Sequence, residues 1–285
     1  MNDSIHELLR RVALAESEIR LMNVYQGIPI AFAAAIVYMG QNSIVVKTEK
    51  YQIVCLYQER KTYIQYPGFP SIIKAKVVQV DANNLQAELN DFEFVYDGIG
   101  ERRQVRVWPK EVVTGQLRVT ERYETIKGEL ADVSLEGMGV YIPAVDYISQ
   151  LFRQGRKVAI LFRLPGVFQL PNPKRYDVSL DDEGDRYDRS RLRLSTIHTP
   201  AYPGDRTEAG GSRTVRSPEV EVNGVVANFY TEANTNRFRV GIKLQTSETY
   251  RLLISQFISQ RQSEIIQEIN AIYRLLKLQA ENTQR

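Results

Sequence analysis

The sequence predicts a mainly β protein, built as two small antiparallel β-barrels in tandem and flanked by N- and C-terminal α-helices. Short runs rich in β-branched and aromatic residues, punctuated by turn residues, recur through residues 28–95 and again through 111–244. Between the two sets lies a charged, glycine-containing stretch, 97–106, that is poor in core residues, as expected of a link between β units. Amphipathic segments without turn residues stand at either end.

Residues 4–22 put Ile5, Leu8, Leu9, Val12, Ile19 and Met22 on one side at three-and-four spacing, with Asn2, Asp3 and Ser4 as capping residues. This predicts a helix filling an N-terminal segment, 1–23. The first barrel is expected over 24–99. Its six candidate strands are 30–39, 43–48, 51–58, 62–66, 71–80 and 92–95, with turns at Gly40-Gln41-Asn42, Pro67-Gly68 and Asp81-Ala82-Asn83-Asn84. The second barrel is expected over 100–246, from candidate strands 111–120, 124–133, 138–142, 157–164, 219–231 and 237–244 and a turn at Ser134 to Gly137. Within it, 171–218 holds five of the chain's eleven prolines and many alternating charges, and reads as a long mobile insertion. Residues 247–285 predict a long helix capped by Thr246 or Ser247. Ile258, Ile265 and Ile272 recur every seven residues, as do Ile269 and Leu276, and Ile266, Tyr273 and Leu275 widen the stripe. So broad an apolar face must pack on the chain's own domains or on a second copy. The reading preferred from sequence is a homo-oligomer formed through this helix.

Composition narrows the function classes. The 37 basic and 34 acidic side chains nearly cancel, to +3, which argues against a protein that coats a nucleic acid polymer by charge. Cys55 is the single cysteine, so an intramolecular disulfide and a four-cysteine zinc site are excluded. The most apolar run, Ile28 to Met39, contains Pro29 and is about a dozen residues where a membrane span needs roughly twenty. The start of the chain lacks a basic-then-apolar leader layout, and a cytoplasmic protein without a membrane span is expected. An enzyme is not indicated: the histidines are His6, in the first helix, and His198, in the insertion, and phosphate-loop, dinucleotide-fingerprint and nucleophile-elbow motifs are missing. Asp181, Asp182 and Glu183 read as a solvated acidic run, so no metal and no cofactor are expected. Trp108 reads as a core residue at a strand start.

Two short constellations remain. Arg102, Arg103 and Arg106 cluster in the link, and arginine offers a permanently charged planar fork that pairs with phosphate oxygens and stacks on purines. Taken alone, this spacing is a weak signal and is better read as a solvated charge cluster. Further on, Asp132-Val133-Ser134-Leu135-Glu136-Gly137 spans the end of one strand and the start of the next. A carboxylate there can accept hydrogen bonds from guanine N1 and N2, the serine hydroxyl can add a donor or acceptor, and glycine lets the backbone approach a ligand. An ordinary hairpin, with Asp and Ser capping their own turn, needs the same residues.

Together, Arg102-x-x-x-Arg106 followed by Asp132-x-Ser134-x-x-Gly137 resembles the paired RxxxR and DxSxxG signature of the PilZ family of cyclic di-GMP receptors, in the same order. The resemblance covers about 100–244, apart from the insertion. It implies a six-stranded antiparallel barrel carrying DxSxxG on a hairpin, and a preceding arginine segment that folds over the ligand. Carried onto this chain, it implies cyclic di-GMP as ligand, bound by Arg102, Arg106, Asp132, Ser134 and Gly137, with Arg103 as an added candidate. The preceding barrel resembles the N-terminal domain of flagellar-brake PilZ proteins in size, texture and position. The implied function is a non-enzymatic receptor that turns ligand binding at the interdomain link into a changed domain arrangement, acting on an unidentified downstream protein. The alternative is a ligand-independent PilZ-like scaffold acting through its terminal helices.

Overall fold

A computed structural model of the 285-residue chain describes residues 4–96, 104–119, 124–171, 212–232, 235–245 and 247–283. The fold is mainly β, with two closed six-stranded antiparallel barrels. The chain forms two compact units, residues 1–105 with 262–285, and residues 106–261.

The first unit opens with α1 (Ile5–Leu14), whose N-terminus is capped by Ser4 Oγ accepting from Glu7 N. The helix ends eight residues earlier than the sequence suggests. Glu16 takes a left-handed φ of 49°, and residues 18–25 form strand β1 (Glu18–Tyr25) instead. Ile19, Leu21, Asn23 and Tyr25 are its buried residues, so Ile19 belongs to a two-residue period, and its three-residue spacing from Met22 is coincidental. The strand continues into β2 (Ile28–Met39) and β3 (Ser43–Lys47).

Residues 51–58, expected as a strand, lie in helix α2 (Lys50–Glu59), which closes on Arg60 in the left-handed region. Gln52, Ile53, Val54, Cys55 and Leu56 are all buried. A helix covered on every side shows an unbroken apolar run rather than a stripe, and such a run has no period by which to tell it from a strand. Then follow β4 (Lys61–Gln65), β5 (Ile72–Asp81) and β6 (Gln86–Val95), and the barrel closes in the order β1-β2-β3-β6-β5-β4. Six strands are thus reached by a different route from the expected one: β1 enters the set and 51–58 leaves it.

A buried amide fixes α2 on the barrel wall. Asn23 Nδ2 donates to Lys61 O at 2.7 Å, while its Oδ1 accepts from Gln52 Nε2 at 2.7 Å and from Thr62 Oγ1 at 2.8 Å. On the same helix, burial pushes the Cys55 thiol up to about 12, with Glu59 adding to the effect. The thiolate is the reactive form, so Cys55 should stay silent toward a disulfide reagent near neutral pH in the folded protein and react fully once denaturant is added. Rapid labelling of the native chain would contradict this placement.

The second barrel is formed by β7 (Thr114–Val119), β8 (Thr125–Val133), β9 (Gly137–Pro143), β10 (Lys157–Arg163), β13 (Glu219–Thr231) and β14 (Arg237–Gln245), closed in the order β10-β13-β14-β9-β8-β7. Each of its six expected strands is present. A short helix α3 (Asp146–Leu151) precedes β10. Two strands outside the barrel, β11 (Val167–Pro171) and β12 (Ser212–Arg216), pair antiparallel. Residues 212–216 are therefore strand rather than part of the expected insertion loop, and the buried Phe168 and Val215 are direct partners across the pair. Residues 172–211 of the insertion, His198, Asp181, Asp182 and Glu183 among them, lie outside the described residues.

The C-terminal helix α4 (Glu248–Thr283) begins behind Ser247, whose Oγ accepts from Tyr250 N at 3.2 Å. In the second unit its first half buries Tyr250, Leu253, Ile254, Phe257 and Ile258. There Gln256 exchanges two hydrogen bonds with the Gln169 backbone, and Gln260 Nε2 donates to Val167 O, which occupies the open edge of β11. In the first unit the second half places Ile265, Ile269 and Leu276 in the same core as Leu9 and Val12, with Ile272 and Tyr273 packed against it. The stripe that the sequence offered to a second copy is occupied by the chain's own barrels, and Ile266, Leu275 and Leu278 are left exposed. No described helix is long and apolar enough to cross a membrane.

Candidate functional site

The site lies on the outer face of the second barrel, where three strands and the segment preceding β7 meet. Val107 is fully buried and forms an antiparallel bridge with Val133, with Val107 N donating to Val133 O at 3.0 Å and Val133 N donating to Val107 O at 3.1 Å. This bridge ties the arginine segment to the end of β8. Since side chains alternate in extended chain, Val107 turns inward and its neighbours turn outward. Trp108, expected in the core, is accordingly half-exposed, and its carbonyl accepts from Arg261 Nε at 3.0 Å.

Arg106 reaches back over β9. Its Nη1 donates to Asp132 Oδ1 at 2.8 Å, and its Nη2 passes close above Gly137. Asp132 sits just beyond an irregularity in β8, between Leu130 and Asp132, that turns the carboxylate onto the outer face opposite Gly139. It is fully buried, yet not in the barrel interior: the roof above it is made of two arginines. The second is Arg239 of β14, which donates to Asp132 Oδ2. A buried carboxylate with both oxygens paired to guanidinium groups meets the condition under which a desolvated charge is tolerated.

Ser134 and Gly137 close the hairpin between β8 and β9. Ser134 N donates to Gly137 O at 2.8 Å, Ser134 Oγ donates to the same carbonyl at 2.9 Å, and Gly137 N donates to Ser134 Oγ at 3.1 Å. The turn is therefore self-capped, and the hydroxyl keeps one lone pair in reserve. Of the residues singled out from sequence, Arg106, Asp132, Ser134 and Gly137 come together here. Arg102 and Arg103 lie outside the described residues.

Sequence reasoning missed Arg239 and Gly139. Arg239 pairs with Tyr141 across β9 and β14, and its guanidinium lies 5.7 Å from the Tyr141 ring centroid and 6.0 Å from that of Tyr230. Burial works against its charge, but Asp132 and the two tyrosines outweigh this and hold its pKa above the ordinary arginine value. To reach Asp132, Arg239 crosses Gly139. A Cβ there would stand 2.8 Å from Asp132 Oδ2 and 3.1 Å from Arg239 Nε. The available signal was the alternation Gly137-x-Gly139, which leaves one face of β9 bare beside the motif. Tyr141 completes the wall: its OH donates to Glu232 Oε1 at 3.2 Å, and Arg237 lies 4.7 Å from its ring while pairing with Glu129 at 2.8 Å.

Chemically, the cluster offers a fixed carboxylate at the level of a bare glycine strand, one partly exposed arginine beside it, and an exposed indole two residues further on. That is a surface able to meet a flat, hydrogen-bonding, anionic ligand.

No family model matches the sequence, and no curated protein matches it. Among solved structures, the chain is similar to the Bacillus subtilis inhibitor of motility MotI/DgrA, at 12% identity and a TM-score of 0.36, over 87% of this chain and 96% of that one. It is similar to YcgR of Escherichia coli in complex with c-di-GMP, at 12% identity and a TM-score of 0.34, over 93% and 92% of the two chains. The isolated PilZ domain of the same protein with c-di-GMP aligns at 13% identity and a TM-score of 0.34, over 60% of this chain and 98% of that domain. With overlaps this shallow, the functional reading rests on the residues of the site.

Proposed function

We propose that the protein is a receptor for cyclic di-GMP, a binding protein rather than a catalyst. The observation that carries the reading is the meeting of two motif halves: Arg106 and Asp132 are 26 residues apart in sequence and 2.8 Å apart in space. In the proposed complex, Arg102, Arg103 and Arg106 supply charged contacts to the phosphates, which give affinity without selecting a base. Asp132 accepts from the guanine N1 and N2 donors, and Ser134 and Gly137 hold the hairpin so that the carboxylate stays in place.

Arg106 is bonded to the carboxylate that the guanine would use. Its side chain is 30% exposed, against 1% for Asp132, so the arginine is the partner free to move. Binding is then an exchange, in which Arg106 turns to a phosphate and a guanine N–H replaces it on Oδ1. The finer part of the proposal is that capture by the arginine segment changes the arrangement of the two barrels. One observation favours the scaffold alternative: both Asp132 oxygens already have partners, as in a purely structural clasp.

Calorimetric titration with cyclic di-GMP, with cyclic di-AMP as control, separates the two. Saturable binding that prefers the guanine ligand is expected, and binding to neither would end the receptor reading. Trp108 is the sole tryptophan and lies two residues from Arg106, so its fluorescence should follow the same titration. Small-angle scattering of the saturated protein should differ from that of the free protein; identical curves would remove the domain-arrangement part and leave the binding part standing.

A further inference from the structure

Resting on the receptor reading above, we infer that Arg239 is the residue that aims the Asp132 carboxylate and thereby sets selectivity for guanine. The two arginines on Asp132 are not equivalent. Arg106 comes from the segment before β7 and is tied down by a single bridge, whereas Arg239 is mid-strand in β14, hydrogen-bonded in register to β9 on one side and to β13 on the other. Its side chain is the less exposed of the two, 20% against 30%, and it is held between the Tyr141 and Tyr230 rings. When Arg106 leaves for a phosphate, Arg239 stays on Oδ2.

This divides the carboxylate by oxygen. Oδ2 is committed to Arg239, which fixes the plane and direction of the group, and Oδ1 is left to face the incoming base. A carboxylate with one oxygen anchored presents an acceptor of known direction; one without the anchor can rotate and lose alignment with the paired donors of guanine. Gly139 is part of the same device, because any side chain on that face would separate Arg239 from Asp132. Arg239 is thus a positioning residue. It acts on the base-reading group rather than on the phosphates, so its loss should weaken binding of the guanine ligand and spare a ligand that makes only phosphate and stacking contacts.

The test titrates cyclic di-GMP and cyclic di-AMP into the full-length protein and into Arg239→Gln, Arg239→Lys, Asp132→Asn and the Arg239→Gln/Asp132→Asn pair. Arg239→Gln should lose roughly tenfold for cyclic di-GMP, the order expected of one well-aligned pair of base-edge contacts, with no change for cyclic di-AMP. Arg239→Lys, which keeps the charge, should recover part of the loss. In the Asp132→Asn background, Arg239→Gln should have little further effect, since it acts through that carboxylate. Equal losses for both dinucleotides would make Arg239 a phosphate contact or a general fold element and overturn the inference, as would unchanged cyclic di-GMP affinity. If Arg239→Gln fails to fold, Gly139→Ala separates the same two groups while keeping both charges. Its cyclic di-GMP affinity should fall selectively, and retention of wild-type selectivity in that variant would overturn the inference. A wild-type protein that binds neither dinucleotide defeats the receptor reading itself, a result distinct from a wild type that binds while the Arg239 variants keep their selectivity.

Discussion

Ending the chain at Arg261 should unfold the first barrel and leave the second one standing. The truncation removes Ile265, Ile269 and Leu276, which are 0, 1 and 9% exposed and belong to the core that holds Leu9, Val12, Ile19 and Leu21. Each such side chain contributes about 1.5 to 3 kcal/mol by burial, and a domain's whole margin is about 5 to 15 kcal/mol. The loss is therefore comparable with the margin itself, before the Gln26–Glu268 and Tyr273–Ala82 hydrogen bonds are counted. Hydrogen exchange should show β1 to β6 unprotected in the truncated protein, while β7 to β10, β13 and β14 keep their protection. The first half of α4, with Tyr250, Leu253, Ile254 and Phe257, remains present to cover the second barrel. Full protection of β1 to β6 would mean that the terminal half-helix is an accessory.

The second large effect is expected at Asp132. Asp132→Ala should reduce cyclic di-GMP affinity by about 1 to 3 kcal/mol, because the paired guanine donors then meet no acceptor. Arg106→Ala should cost about as much, through a lost charge-assisted contact. Stability should respond less than affinity to Asp132→Ala, since Arg106 and Arg239 are both partly exposed and water can take the place of the carboxylate. Calorimetry beside thermal unfolding separates the two quantities. Wild-type affinity in both variants would place the ligand elsewhere.

How far the fold could be read from the residues depends on whether burial left a period. In the second barrel it did: Val220, Val222 and Val226 of β13 are interleaved with the exposed Glu221, Asn223 and Ala227, and each expected strand is found. In the first unit it did not. Residues 52–56 are buried without interruption, so nothing in the run distinguishes α2 from a strand. At Ile19 and Met22, a helical spacing arises by accident within a strand. The helix end at Leu14 depends on Glu16 in the left-handed region, which a glutamate does not advertise.

The candidate site divides along the same line. Asp132, Ser134 and Gly137 are local, within one hairpin, and Arg106 is joined to them by a single bridge; the two short patterns, taken together through their resemblance to the PilZ signature, selected them. Arg239 is separated from Asp132 by 107 residues and meets it only because β14 pairs with β9 and β9 with β8. No linear pattern carries such a contact. Its one trace in the sequence is an absence, the missing side chain at Gly139 that clears the crossing.

The pairing of β11 with β12 bears on evolvability. Pro171 and Ser212 are direct partners across that ribbon, and α4 glutamines clamp its outer edge. The two ends of residues 172–211 are thus held side by side, and the cost of closing a loop between such ends grows only as the logarithm of its length. A segment of another length spliced between Pro171 and Ser212 would meet ends already paired, which makes this point a natural graft site for acquiring new partners.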